Sequence, residues 1–144
     1  MKIKSFEDVQ EYLNGIPHIN CGGCGISALV MFRWLKKNGQ DVSLVFLYDN
    51  WYKEDKTVNQ RVMEKHEGEP KVPPHCCIRI KKRTYIDSEG SKRIKQYNIR
   101  QIVPEWLLID ALRIHDWNHM FERTTYLMNK ISEDLGINLS DVPY

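Results

Sequence analysis

One stretch constrains this chain more than any other: His18-Ile19-Asn20-Cys21-Gly22-Gly23-Cys24-Gly25-Ile26-Ser27-Ala28-Leu29-Val30-Met31-Phe32-Arg33-Trp34-Leu35-Lys36-Lys37-Asn38-Gly39. Ala28, Leu29, Phe32 and Leu35 recur at helical spacing, and Met31 and Trp34 broaden the apolar face. Lys36-Lys37 followed by Asn38-Gly39 predicts the stop, because cations suit a helix C-terminus and glycine accepts a left-handed cap. A helix apolar on so much of its circumference belongs at the centre of a fold, so the core holds whatever stands at its start. Cys24 stands there. The first N–H groups of a helix lack intrahelical partners and carry partial positive charge, which favours a thiolate. Gly22, Gly23 and Gly25 strip side chains from the approach and are expected to leave room for a substrate backbone.

A chain of 144 residues is long enough to bury a core without disulfides or metals. Charged residues make up 28% and hydrophobic ones 42%, and the net charge of +2 is too small to argue for nucleic acid or a membrane surface. No apolar run approaches the ~20 residues that span a bilayer, and Met1-Lys2-Ile3-Lys4-Ser5-Phe6 lacks a signal-peptide core. Cys21, Cys24, Cys76 and Cys77 form a near pair and an adjacent pair, unlike a secreted disulfide framework, so a reducing, cytoplasmic setting is expected.

Taken in order, Ser5 reads as the N-cap of a helix over about Phe6–Asn14, with Asp8 as capping partner and Phe6, Val9 and Leu13 buried. The central helix runs from Cys24 to Asn38. Val42–Tyr48 is β-branched and aromatic enough for a strand buried on both faces. Asp49–Pro74 reads as a solvated excursion with a short polar helix over Thr57–His66. His75–Ile80 and Arg83–Ser88 read as a hairpin turning near Lys81-Lys82, which lacks the expected glycine. Ile94–Val103 alternates like another strand. From Pro104, placed as a first helical residue, to about Leu135 the pattern is helical with a break near His115–Asn118.

A cysteine nucleophile needs a base, and the base needs an orienting group. Side chains alternate along strands, so an odd-numbered hairpin turn puts Cys76, Ile78, Ile80, Thr84 and Ile86 on one face. His75, Cys77, Arg79, Tyr85 and Asp87 then share the other. A three-residue turn sets His75 and Asp87 opposite or diagonal, which suits a carboxylate holding an imidazole. An even-numbered turn would separate them.

These elements together resemble a known family. Cys24-Gly25 heading an apolar helix, a strand beginning at His75, and Tyr85-Ile86-Asp87-Ser88-Glu89-Gly90 are similar to the papain-like cysteine hydrolases. Within them the order is similar to bacterial leader-processing peptidases, transglutaminase-like proteins and arylamine acetyltransferases. The resemblance covers about Pro17 to Gly90. It implies an α+β fold with a papain-like core and the cysteine-bearing helix packed on a mainly antiparallel sheet; the additional C-terminal helices come from the sequence pattern, and the resemblance does not account for them. It further implies Cys24 as nucleophile, His75 as general base and acid, and Asp87 as orienting acid. It places an oxyanion-hole donor, often glutamine, six residues before the cysteine. Here that position is His18, with Asn20 the nearby amide. The implied activity is cleavage of an amide bond of a peptide or protein through a thioester, without a cofactor; deamidation and acyl transfer share the steps. Gly22, Gly23 and Trp51 are candidate cleft residues, joined by Tyr52 and Trp106.

Other readings stay open. Cys21-x-x-Cys24-Gly25 has the shape of a zinc knuckle that His75, Cys76 or Cys77 would complete, giving a non-catalytic interaction module. An inactive papain-like domain is a further non-catalytic reading. Cys21 and Cys24 would also serve as a redox dithiol. His115 and His119 are spaced i, i+4 but lack the glutamate of the metalloprotease motif. Lys81-Lys82-Arg83 with Lys92, Arg93 and Lys95 makes a basic hairpin edge, suited to guarding an exposed strand or to an acidic protein partner. The expected organisation is a single domain over residues 1–144: an N-terminal helix in 1–17, the helix and sheet in 18–103, and a helical segment in 104–144. That last segment, rich in bulky apolar residues from Trp106 to Ile131, is expected to pack on the sheet. Neither nucleic acid nor membrane is an expected partner, and the sequence fixes no oligomeric state.

Overall fold

In a computed structural model the described residues are 2–48, 73–114 and 120–143. Trp51, Tyr52, Thr57–His66, His115 and His119 therefore lie outside them. The described residues form an α+β fold: α1 (Phe6–Asn14), α2 (Cys24–Lys37), β1 (Val42–Tyr48), β2 (His75–Ile80), β3 (Thr84–Ile86), β4 (Ile99–Val103), α3 (Glu105–Ile114) and α4 (Thr125–Leu135). The four strands make one antiparallel sheet in the order β3-β2-β1-β4.

The local signals that define α1 and α2 are realised atom by atom. Ser5 caps α1 in a reciprocal box: Asp8 N–H donates to Ser5 Oγ at 3.2 Å, and Ser5 N–H donates to Asp8 Oδ2 at 3.1 Å. Val9 and Leu13 are buried, whereas Phe6 is only half-buried at the edge of the core. At the far end of α2, Gly39 takes φ 76°. Gln40 N–H then reaches back to Leu35 O at 2.9 Å and Gly39 N–H to Lys36 O at 3.0 Å, closing a Schellman motif.

From Cys24 to Met31 every residue of α2 is buried, as a central helix requires. One face of the sheet packs on it through Leu44, Phe46, Tyr48, Cys76, Ile78 and Val103. The other face carries a smaller cluster of Val45, Leu47, Cys77 and Ile94, with Tyr85 and Tyr97 against it. β1 is thus covered on both sides. The C-terminal segment joins the larger core through Leu107, Leu108, Phe121, Met128, Ile131 and Val142. Arg33 on α2 fastens it: Nε donates to Glu105 at 2.8 Å, and the guanidinium grips both Asp141 oxygens at 2.7 and 2.8 Å.

Several boundaries differ from the sequence expectation: β3 is confined to Thr84–Ile86 rather than Arg83–Ser88, and α2 ends at Lys37 with Asn38 as its cap. Ile94–Gln96 is a 3-10 turn and only Ile99–Val103 is a strand. Ile94 is drawn into the small cluster beside Val45 and Leu47, which takes this stretch off the ladder. Pro104 precedes α3, its carbonyl accepting from Leu107 N–H at 3.1 Å.

Gly23 also differs. A Cβ there would lie 2.6 Å from Ile19 O and 2.9 Å from the Phe121 ring, so protein fills the space that the sequence reading leaves to substrate. Gly23→Ala is expected to lower unfolding stability by about 1–3 kcal/mol in urea titrations. Gly15→Ala, where φ is −78° and the nearest atom is Tyr12 O at 3.4 Å, is expected to stay neutral or gain up to about 1 kcal/mol.

Candidate active site

β2 and β3 join through Lys81, Lys82 and Arg83, with Ile80 opposite Thr84, Arg79 opposite Tyr85 and Ile78 opposite Ile86. The turn is odd-numbered. Lys81 enters it with φ 55°, supplying the left-handed residue that a glycine usually provides. Continuing the register puts Asp87 across from Cys77 and diagonal to His75. His75 Nε2 and Asp87 Oδ2 meet at 2.9 Å, with the two side chains only 2% and 1% exposed.

The acid is held by a turn rather than by strand pairing alone. Asp87 and Gly90 exchange backbone bonds of 2.9 and 3.1 Å, Gly90 takes φ 105°, and Glu89 N–H donates to Asp87 Oδ1 at 2.8 Å. Two amides one helical turn apart on α1 then grip the same turn. Gln10 Nε2 donates to Asp87 O at 3.1 Å and Asn14 Nδ2 to Ser88 O at 2.8 Å. Asn20 Nδ2 donates to Ser88 Oγ at 2.8 Å, and Arg93 joins Asn20 O at 3.1 Å to Glu89 at 2.6 Å. The Tyr97 ring stacks on His75 with centroids 5.9 Å apart and planes at 14°. The imidazole is therefore fixed by a carboxylate at one nitrogen and by an aromatic face.

Cys24 is the first residue of α2, where no side chain caps the helix start. Its thiol is buried, and the Cys76 and His75 side chains act on its charge. Because Nε2 is committed to Asp87, the bond to sulfur falls to His75 Nδ1. The Cys76 thiol, and after it the His75 ring, hold the Cys24 thiol well below its ordinary value against the opposing effect of burial. Burial disfavours the His75 cation, but its bonds to Asp87 and Cys24 prevail and raise it to about 9. Burial, then the bond to Cys24, keeps the Cys76 thiol protonated well above its usual range. Together these directions favour charge on Cys24 and His75 and a proton on Cys76.

Cys24, His75 and Asp87 are brought together. Asn20 lies against the acid turn, with its Oδ1 buried and unpartnered. His18 is exposed with φ 61°, and among the described residues no hydrogen bond joins its ring to Cys24. Gly22 adopts φ 106°, a conformation that favours glycine. Trp106 is 56% exposed and lines a different surface cleft with Ile109, Asp110 and Asp141.

The four cysteines do not gather at one point. Cys21 is exposed, and Cys77 sits in the cluster on the far side of the sheet. Among the described residues no three His, Cys, Asp or Glu side chains are placed to hold a metal ion. Nor is any described helix long and apolar enough to cross a membrane.

Sequence reading misses Gln10, Asn14, Ser88, Arg93 and Tyr97. The one available signal is the i, i+4 spacing of two amides on α1, each following a buried residue, Val9 or Leu13. Compared with protein-family models, curated proteins and solved structures, the chain matches none of them. In NMR titrations the His75 ring is expected to titrate near 9. Cys24→Ser removes the anion beside it, and the midpoint should fall by about one unit or more.

Proposed function

We propose that the protein is a papain-like thiol hydrolase that cleaves an amide bond of a peptide or protein. The observation that carries this reading is the buried His75 Nε2–Asp87 Oδ2 contact at 2.9 Å, which orients an imidazole that acts on the charge of the Cys24 thiol at a helix start. Buried carboxylates, imidazoles and thiols are costly to assemble without a use for their charge.

In this reading the Cys24 thiolate attacks the carbonyl carbon of the scissile amide. The oxyanion forms at the α2 N-terminus, where the Cys24 N–H and the helix dipole stabilise it. His75 donates its Nδ1 proton to the leaving amine, and an acyl thioester remains on Cys24. Neutral His75 then takes a proton from water, which attacks the thioester and releases the acid. Asp87 keeps the Nε2 proton in place and offsets the imidazolium charge in both halves of the cycle. Asn20 is the side-chain donor of this scheme. Turning its amide over retains the Ser88 contact, with Ser88 Oγ–H donating, and presents Nδ2 where the buried oxygen lacks a partner.

The charge pair defines the pH window. The thiolate appears as pH rises through the lowered value of Cys24, and the imidazolium is lost as pH rises through about 9. Turnover is therefore expected to follow a bell with its upper limb near 9. Alkylation by iodoacetamide, followed by peptide mass spectrometry, tests the pair without a substrate. Cys24 should label quickly well below pH 8, and in His75→Gln only as pH approaches about 8.5. A wild-type profile centred at the ordinary thiol value would overturn the assignment. With an acyl substrate in hand, Asn20→Ala is expected to cost roughly 10²–10³ in kcat.

A further inference from the structure

The acid of the site stands just past the end of its strand. The register between β2 and β3 runs from Ile80–Thr84 to Ile78–Ile86 and stops one residue short of Asp87. Asp87 then bridges only to Gly90, within its own turn. The bond from Glu89 N–H to Oδ1 fixes the carboxylate relative to that turn and leaves Oδ2 for His75. Both the bridge and the Glu89 bond are internal to the turn and travel with it. Whatever decides where the turn stands must reach it from outside.

α1 does so. Gln10 Nε2 donates to Asp87 O at 3.1 Å and Asn14 Nδ2 to Ser88 O at 2.8 Å. Both acceptors are carbonyl oxygens, so the nitrogen of each amide must face them. Consecutive carbonyls of an extended strand point to opposite sides; these two meet one helix because the chain turns at Asp87. α1 is itself anchored, by Val9 and Leu13 in the core and by Tyr12 Oη–H donating to Asp134 Oδ2 at 2.7 Å. Asn20 and Arg93 also hold the turn, but by the Ser88 hydroxyl and the Glu89 carboxylate, side-chain groups that rotate. Only the α1 amides take its main chain.

We propose that Gln10 and Asn14 are positioning residues of the site, holding the main chain of the acid turn where Asp87 Oδ2 meets His75 and thereby setting the proton affinity of the imidazole. The proposal deepens the thiol-hydrolase reading and rests on its His75–Asp87 pair, not on amide cleavage. A charge-assisted hydrogen bond weakens steeply as it lengthens or bends, so a small displacement of the turn is felt at the ring. The groups acting on the imidazole are Asp87 from the end of β3, Cys24 from α2 and the stacked Tyr97 ring. Neither amide bonds to it, so their effect on its titration passes through Asp87. Loosening the carboxylate withdraws support from the imidazolium, and the midpoint falls.

The experiment follows the His75 ring of the full chain by NMR titration, its resonance assigned among the five histidines by its loss in His75→Gln. Gln10→Met and Asn14→Ala each delete one donor from a half-buried or exposed side chain and leave the core intact. Thermal unfolding checks that each is folded, and one folded variant is enough to decide. The midpoint is expected to fall by about one unit, a tenfold loss of proton affinity. Tyr12→Phe is the control, removing a tertiary hydrogen bond of the same helix without touching the turn, and its midpoint should match the wild type. Unmoved midpoints in the folded amide variants, or an equal fall in Tyr12→Phe, would overturn the positioning role and leave the hydrolase reading standing. A wild-type midpoint at the ordinary value of about 6.5 would overturn it as well. The converse is separable: Cys24 alkylated only near its ordinary value, with the amide variants still lowering the His75 midpoint, removes the hydrolase reading and keeps the positioning role.

Discussion

A charged hydrogen bond between two side chains almost wholly out of water governs the organisation of this molecule. The His75–Asp87 contact at 2.9 Å exists only if both partners arrive with their remaining polar atoms occupied. Asp87 satisfies its second oxygen with a backbone N–H, and its carbonyl and the next are taken by amides of α1. His75 has a ring on its face and a sulfur at its other nitrogen. Losing one member of such a pair leaves the other buried without compensation, typically at a cost of about 3–5 kcal/mol. The site is therefore part of what holds the fold, not a decoration on it.

Cys24 and His75 approach one another from different layers. α2 lies on the face of the sheet that carries Cys76 and Ile78, whereas the parity of β2 assigns His75 to the face of Cys77. They meet because His75 is the first residue of its strand and Cys24 the first of its helix, so each side chain is at an end. A site at coincident element ends keeps rigid supports on every side while leaving the helix N-terminus unobstructed by a capping side chain.

The elements that positioned the site were readable where a local rule decides them. The capping box at Ser5 and the glycine stop at Gly39 are each settled within a few residues, whereas the sequence leaves the hairpin parity open and the structure's three-residue turn at Lys81–Arg83 is what brings Asp87 to His75. Non-local contacts were not readable. Nothing near Gly23 announces that Phe121 fills its missing side chain, and nothing near Gln10 or Asn14 announces the turn at Asp87. Ile94 alternates with its neighbours like a strand residue, yet burial beside Val45 outweighs pairing. That α2 lands on the face of Cys76 and Ile78 depends on how a helix packs on a sheet, which spacing along the chain does not encode.

The grip of α1 on the acid turn spans 77 positions of sequence, from Gln10 to Asp87. During synthesis the helix bearing Cys24 emerges long before the hairpin that changes its chemistry. Until residues beyond Gly90 are out and the turn has docked, the thiol has neither its cation nor its neighbouring donor and behaves as an ordinary cysteine. The lowered pKa of the Cys24 thiol is thus a late-acquired property, withheld from the nascent polypeptide by the order in which its parts are made.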